Sequence, residues 1–597
     1  MLKGKLDGVG LAKRRKDMER VSMSVLIAVA LLVAAPVRAD MSFTDVTETA
    51  LVGDTAHTYG SCLADYDSDG SLDIFSANII LTSNLYRNTG GMVFSNVTGH
   101  AGLVGLVEAK GSSMADYDND GDLDMALVGW NRDSFYRNNG DGTFTEYSDS
   151  ANFAIDDTLH GMSCVWADYD KDSHADLFVT NLGGGSVLYR NMGDGTFEDA
   201  TVDAGIDCAD ATGAVWFDYD MDDDADLFVC RYLGYPDYLY ENDGLGHFRE
   251  VGSAAGVAGD DSSFGCAAGD VDSDGDFDLY VSKFHGAGTL YRNNGDGSFS
   301  DITGPAGVDI SGSGTGCVFE DFDSDLDVDL YVGCFYGENH LFENDGAGVF
   351  TDVTVGAGVG DYGDQRTGVG ISAADLDSDG DVDIYCGNHK RNTLFRNDTQ
   401  TSLLAPSNRL VLKLRGTMSN RSAIGARVYV TTSGGTQMRE VTAGSGVCSM
   451  SSLELEFGLG SSTGPFVEIR WPSGLIESGM IEGSGYVEVV EGSFPGVLET
   501  ELVRMGALAA LYQNEPNPFR RSTRIQFCTS ASADVSISVY DVKGRRVCEL
   551  LDSWVPAGTH ALDWDGTVSG VRVPVGVYIY SFEGNGISES RKMAIVR

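Results

Sequence analysis

Asp270-Val-Asp-Ser-Asp-Gly-Asp-Phe-Asp278 runs directly into Leu279-Tyr-Val281, and Leu290-Tyr-Arg-Asn293, the turn Asn294-Gly-Asp-Gly297 and Phe299 follow. Acids at alternate positions describe a tight acidic loop. The alternation Asp-Leu-Tyr-Val describes a strand leaving it, and the Asn-Gly-Asp-Gly run describes a hairpin turn. The same markers recur in the same order along the chain. The loop begins at Asp65, Asp116, Asp168, Asp218, Asp270, Asp321 and Asp375, with steps of 51, 52, 50, 52, 51 and 54 residues. The Leu-Tyr-Arg-Asn marker returns at Leu85, Phe135, Leu188, Leu239, Leu290, Leu341 and Leu394. A Phe-x-Asp-Val-Thr marker returns at Phe43, Phe94, Phe144, Phe197, Phe248, Phe299 and Phe350. A period of about 50 residues is that of a propeller blade or a repeat array.

Each unit reads as four short strands, so seven units predict an all-β fold: a seven-bladed β-propeller over 40–400. The last copy stops at Asn397 without its fourth strand, while a spare one, Phe43–Thr47, precedes the first copy. The N-terminal strand is therefore expected to complete the last blade.

Four carboxylates within nine residues repel one another unless something neutralises them. In such a loop the side chains at positions 1, 3 and 5 turn inward, the carbonyl at position 7 adds a ligand and the Asp at position 9 closes the shell. An all-oxygen, flexible donor set suits Ca²⁺ better than Mg²⁺. The expected ligands are Asp65, Asp67, Asp69 and Asp73; Asp116, Asp118, Asp120 and Asp124; Asp168, Asp170, Asp172 and Asp176; Asp218, Asp220, Asp222 and Asp226; Asp270, Asp272, Asp274 and Asp278; Asp321, Asp323, Asp325 and Asp329; and Asp375, Asp377, Asp379 and Asp383. That is up to seven structural Ca²⁺ ions. The closing acid at position 9 rather than 12, with strands on both sides, excludes an EF-hand. Position 6 needs a residue tolerant of positive φ. It is Gly70, Gly121, Gly275 and Gly380 in four copies, but Ser173, Asp223 and Leu326 in the others, where weaker binding is expected. The loops and the Leu-Tyr-Arg-Asn-x-Gly-Asp-Gly strings resemble the FG-GAP/VCBS repeats of integrin α-subunit-type propellers. That resemblance spans about residues 43–397 and implies calcium loops on one face and ligand loops on the other.

The acidic loops then stop. Asn420-Arg-Ser-Ala-Ile-Gly-Ala-Arg-Val428, Phe457-Gly-Leu-Gly460 and Val467-Glu-Ile-Arg-Trp-Pro-Ser-Gly474 mark a small β-domain at 406–492. It resembles the ASPIC/UnbV domain of cartilage-acidic-protein-like proteins. Trp471-Pro-Ser-Gly474 reads as a packed turn. After a linker at 493–510, residues 511–597 show alternating strands that suggest an Ig-like β-sandwich. This part resembles the hook-capping-type Ig fold and the type IX secretion sorting domain, with Glu515 departing from that pattern. At the other end, a basic stretch, the apolar run Val21–Pro36 and Val37-Arg38-Ala39 read as a signal peptide over 1–39, too short to span a bilayer. The chain is thus expected to be secreted or at the cell surface, with no transmembrane span after cleavage.

A formal charge of −50 excludes nucleic acid and anionic membranes as partners. Eleven cysteines include no C-x-x-C pair, and a Cys317–Cys334 bridge across one hairpin is conceivable. The few cations and many aromatics of the loops between second and third strands fall opposite the acidic loops. Trp130, Arg132, Arg231, Lys283, His285, Tyr336, His340, His389 and Lys390 are the expected ligand face, suited to an anionic or sugar-like group. His285, His340 and His389 occupy equivalent loops of three successive copies. There is no G-x-S-x-G, H-E-x-x-H or Walker loop, and no catalytic residue is assigned. The sequence therefore describes a calcium-binding adhesion module for an extracellular protein or glycan; a propeller enzyme acting on polysaccharide is the alternative.

Overall fold

A computed structural model describes residues 41–597, except 56, 131–132, 154–159, 260, 311, 361–367, 400–407, 482, 495–508, 512–518, 521–522, 530–532, 542, 544, 556–557, 565, 569–570, 585–586 and 597. The segment read as a signal peptide, most of the linker and Arg132 lie outside the described residues.

Every copy forms one antiparallel four-stranded sheet. In the fifth copy the strands are Ser263–Gly269, Asp278–Lys283, Thr289–Asn293 and Phe299–Asp301, paired in chain order. Seven such sheets occupy residues 43–397. The last contains Gly368–Ala374, Asp383–Asn388 and Thr393–Asn397 and is completed by Phe43–Asp45, with Phe43 opposite Asn397 and Asp45 opposite Phe395. The spare N-terminal strand thus joins the two ends of the repeat region.

Neighbouring copies are tied by the Asn of the Leu-Tyr-Arg-Asn marker. Its side-chain amide donates to a loop carbonyl of the preceding copy: Asn138 to Tyr66 (2.8 Å), Asn191 to Tyr117 (2.7 Å) and Asn242 to Tyr169 (2.8 Å). Asn293 to Tyr219 (2.7 Å), Asn344 to Val271 (2.8 Å) and Asn397 to Phe322 (2.9 Å) continue the series. Asn88 of the first copy donates to Leu376 of the last at 2.8 Å. The buried amide finds partners in both copies, which explains why the marker keeps its distance from the acidic loop. The result is a propeller-like, all-β arrangement.

The first strands of the sheets crowd together at the centre, where a glycine allows the approach. A Cβ on Gly60 would lie 2.3 Å from the Lys110 carbonyl and 1.9 Å from that of Cys448; one on Gly370 would lie 2.6 Å from the Tyr59 carbonyl. Both are backbone contacts that cannot give way, so Gly60→Val is expected to destabilise by about 1–3 kcal/mol or more. Chemical denaturation of the full chain checks this; an unchanged midpoint would contradict the packing.

Residues 409–490 form two further sheets around a core that includes Leu412, Val428, Phe457 and Ile469. One holds a parallel pair, Arg409–Arg415 beside Gly485–Val490. Trp471 is buried and its indole N–H donates to Glu477 Oε2 (2.9 Å), consistent with a packed turn. Beyond 508, a three-stranded and a four-stranded antiparallel sheet share Phe519, Ile537, Trp564 and Tyr580 in one core. Among the described residues, ten cysteines are free thiols. Cys317 lies opposite Val332 and Cys334 opposite Gly314, so the conceivable hairpin bridge is not formed. No helix among the described residues is long and apolar enough to cross a membrane.

Candidate cation sites and the domain that covers them

In the first acidic loop, Asp65 Oδ1 accepts from the Asp69 N–H (3.0 Å) and Oδ2 from the Gly70 N–H (3.2 Å). These bonds curl the loop. Asp73 accepts from the Tyr66 N–H (3.3 Å) and from the Asn88 N–H (2.7 Å), which anchors the closing acid to the third strand. The remaining charge is divided in two. Arg87 pairs with Asp67 Oδ2 (2.7 Å) and Asp69 Oδ2 (2.8 Å) on the outside of the loop. Asp67 Oδ1 is buried and has no hydrogen-bond partner. Arg137 and Arg190 repeat the outer pairing with Asp118 (2.8 Å) and Asp170 (2.7 Å). Asp118 Oδ1, Asp170 Oδ1 and Asp272 Oδ1 are likewise buried without partners.

The orphaned oxygens belong to compact groups. Ligand atoms of Asp65, Asp67 and Asp73 lie within 4.8 Å of one another, as do those of Asp116, Asp118 and Asp124; Asp168, Asp170 and Asp176; Asp218, Asp220 and Asp226; and Asp270, Asp272 and Asp278, with two more groups in the chain. Positions 1, 3 and 9 therefore converge. Position 5 stands aside in the second loop: Asp120 Oδ1 accepts the Asp122 N–H (3.1 Å) and Oδ2 meets Arg137 (3.0 Å). A buried carboxylate oxygen with no donor in reach fits a hard cation, and these residues could hold one.

The titration behaviour agrees. Burial, with the neighbouring acids adding to it, pushes the Asp73 and Asp278 carboxyls up to about 8, Asp226 to about 9 and Asp116 to about 7. A carboxyl raised on folding makes the folded state bind more protons than the unfolded one. The cation-free chain is therefore expected to lose stability as pH rises from about 4 to about 8. A cation held by the ionised forms reverses that slope. Midpoints measured across this range with and without Ca²⁺ check it; parallel curves would contradict it.

Position 6 has positive φ throughout: 87° at Gly70, 74° at Ser173, 69° at Asp223 and 93° at Leu326. The three side chains that endure this conformation all reach residues 409–490. Ser173 Oγ donates to the Met418 carbonyl (2.6 Å), Asp223 lies 3.8 Å from Arg427, and the tip of Leu326 packs against Gly434. The second domain sits on the acidic-loop face, a placement the sequence reading did not anticipate. Its Asn420–Val428 segment runs along the loops: Ser422 Oγ accepts the Asp116 N–H (3.0 Å), the Arg421 N–H donates to Asn119 (2.8 Å) and Arg427 pairs with Asp218. Arg409 meets Asp381 (3.1 Å) and Lys413 meets Asp65 (3.5 Å).

From this cap, residues 443–450 thread between the first strands. The Ala443 carbonyl accepts the Trp166 N–H (2.9 Å), the Cys448 N–H donates to Ser163 (2.8 Å) and Met450 exchanges backbone bonds with Ser61 (2.8 Å) and Leu63 (3.1 Å). Val447 and Cys448 pack in a cluster whose flanks include Tyr59, Tyr232, Phe284 and Phe335.

Those aromatics lead to the expected ligand face. Phe284 and Phe335 meet at 5.2 Å with their rings tilted by 56°; His285 lies 4.9 Å from Phe284, and Tyr336 and His389 lie 4.8 and 5.0 Å from Phe335. Burial, then His57, pushes His389 down to about 4. Tyr336 and Trp130 are 66% and 42% exposed, and Lys390 is exposed. Lys110, which the sequence reading passed over, lies under Trp130 at 5.0 Å. Arg231, Lys283 and His340 have partners within their own copies. Arg231 stacks on Tyr235 (4.8 Å) and Tyr238 (4.6 Å), and Lys283 pairs with Asp261 (3.0 Å). His340 is held by Asp352 (3.1 Å) and Phe342 (5.8 Å) on the outer strands, which turns it away from the aromatic stack.

Repeated sheets carry converging acidic loops on one face and clustered aromatic side chains on the other, the arrangement of a repeat scaffold. The chain belongs to the FG-GAP-like repeat family, whose model matches 65–127, 116–179, 169–229, 224–281, 278–332 and 321–386; the ASPIC and UnbV model matches 416–481. It is 24% identical to Cartilage acidic protein 1 of Mus musculus over 520 residues, 77% of this chain and 78% of that protein. It is 23% identical to the Xenopus tropicalis protein of the same name over 511 residues, with the same coverage of 77% and 78%. Among solved structures, a lectin of Agrocybe aegerita that recognises non-reducing terminal N-acetylglucosamine shares 21% identity over 51% of this chain and 81% of its own, with a TM-score of 0.36. At that score nothing about ligands follows.

Proposed function

We propose that the chain is an exported, non-catalytic binding or adhesion protein: a seven-bladed β-propeller whose acidic loops hold Ca²⁺, followed by the ASPIC/UnbV-type domain and a terminal Ig-like attachment module. The buried, donor-less oxygens of Asp67, Asp118, Asp170 and Asp272 carry the calcium reading. Ca²⁺ would supply the positive charge that the converging aspartates of positions 1, 3 and 9 lack. The marker arginines neutralise only the outer oxygens.

The ligand face is the aromatic stack opposite the cap. Trp130 and Tyr336 offer exposed π-faces, and Lys390 offers charge at the same end. Such a surface suits a sugar or an acidic protein segment. Trp130→Ala combined with Lys390→Ala is expected to abolish binding on a glycan and extracellular-protein array, with the melting temperature unchanged. Retained binding would place the ligand elsewhere. Parallel reducing-end assays separate binding from turnover: product release from a bound polysaccharide would contradict the non-catalytic reading.

A further inference from the structure

Between the cap and the first two acidic loops lies a cleft of about 270 Å³. Its apolar lining is Leu72 and Leu123 from the repeats and Leu414 and Leu453 from the second domain. Lys413, Arg415 and Arg421 line it as well. Two of these cations are committed. Lys413 pairs with Asp65 (3.5 Å) and Glu454 (3.9 Å), and Arg415 pairs with Glu488 (3.3 Å).

Arg421 shares a buried, acceptor-less Nε with Arg415 but differs in having no carboxylate partner among the described residues. Its backbone N–H is bonded to Asn119, but its guanidinium forms no ion pair among the described residues, and its Nε is buried with no acceptor. The guanidinium end passes over Gly121, with Nη2 3.6 Å from where a Cβ would stand. Asp116, which also lines the cleft, accepts the Asp120 (2.9 Å) and Gly121 (2.8 Å) N–H groups and forms no ion pair with Arg421. A buried guanidinium nitrogen without an acceptor is costly, and a planar carboxylate satisfies two guanidinium donors at once. Pockets at domain interfaces are common ligand sites, and this one is at the small end of their size range.

We infer that this cleft is a binding site for a small carboxylate that carries one apolar ring face. The carboxylate seats on Arg421 and the ring lies against the four leucines. The site is separate from the aromatic face. It rests on the calcium reading of the first two loops, since ionised aspartates beneath the cleft would otherwise repel an anion.

The test uses the full chain saturated with Ca²⁺, with benzoate and glucuronate as probes and benzyl alcohol and methyl glucoside as uncharged controls. Isothermal titration and saturation-transfer NMR give the affinity, and atomic emission gives the bound calcium. At least one carboxylate is expected to bind while its control does not. Arg421→Met is expected to weaken binding about tenfold or more, Arg421→Lys less, and the Trp130/Lys390 double variant not at all. Only the Arg421 side chain is changed, and its backbone bond to Asn119 stays. Binding of neither carboxylate to a calcium-loaded chain would overturn the inference and leave the calcium reading intact. Equal affinity in Arg421→Met, or equal binding of sulfate, would also overturn it. Carboxylate binding lost in Arg421→Met by a chain that holds no calcium would support the site and refute the loop reading.

Discussion

Chelation is expected to lower the melting temperature of the full chain by on the order of 10–20 °C. At ~1 mM Ca²⁺ and a Kd of ~0.1 mM, one site contributes about 1.4 kcal/mol, and seven independent sites contribute roughly 10 kcal/mol. That rivals the entire stability of an ordinary domain, ~5–15 kcal/mol. The acidic loops also hold the sheets together, because the closing aspartate of each loop accepts an N–H from its own marker Asn, and that Asn bonds the preceding copy. Losing the cation therefore loosens contacts between copies as well as the loop itself. Scans at one fixed rate, before and after EDTA, measure the effect, since a chain this long is apt to unfold irreversibly. Added Ca²⁺ should restore the melt and Mg²⁺ should restore less, because Mg²⁺ dehydrates reluctantly. An unchanged melt in EDTA would refute a structural role for the loops.

Arg427→Met is expected to cost about 3–5 kcal/mol and to release the cap. The guanidinium is 5% exposed, bonds Asp218, and has Glu440 at 3.7 Å. Both carboxylates are buried, and burial already pushes Glu440 up to about 8. Without the arginine, Asp218 and Glu440 face each other across the domain boundary with no guanidinium between them. The released cap should withdraw residues 443–450 from the centre. Cys448 is buried there as a free thiol, so its alkylation rate reports the event directly. Faster alkylation in Arg427→Met is the expected result; a rate equal to that of the parent chain would show that docking does not depend on this pair. Adding Glu440→Gln should recover part of the loss, since one of the two stranded charges is then gone.

The repeat architecture was legible because its markers are local. Asp-x-Asp loops, the Leu-Tyr-Arg-Asn strand and the Asn-Gly turn each specify geometry within a few residues, and their fixed order gave the strand that completes the last sheet. The inward turn of Asp67 was legible in the same way. The aside position of Asp69 was not, because it depends on where Arg87 reaches from a strand 18 residues away. The orientation of His340 was hidden for a similar reason: it opens the strand His340–Asn344, in the register of Thr393 rather than of His389, and Asp352 on the next strand captures it. The cap was the largest omission. Residues 443–450, Ala-Gly-Ser-Gly-Val-Cys-Ser-Met, carry no period and bond through their backbone, which sequence does not advertise. The one visible trace was the departure from glycine at Ser173, Asp223 and Leu326. These side chains are contacts with the cap.

The most direct test of the account is the number of Ca²⁺ ions bound per chain, measured by equilibrium dialysis with atomic emission on the parent and on Asp118→Asn. Several ions are expected, approaching one for each of the seven converging groups, and one fewer in Asp118→Asn with the fold intact. A chain that retains no calcium after dialysis, or a variant that binds as many ions as its parent, would contradict it.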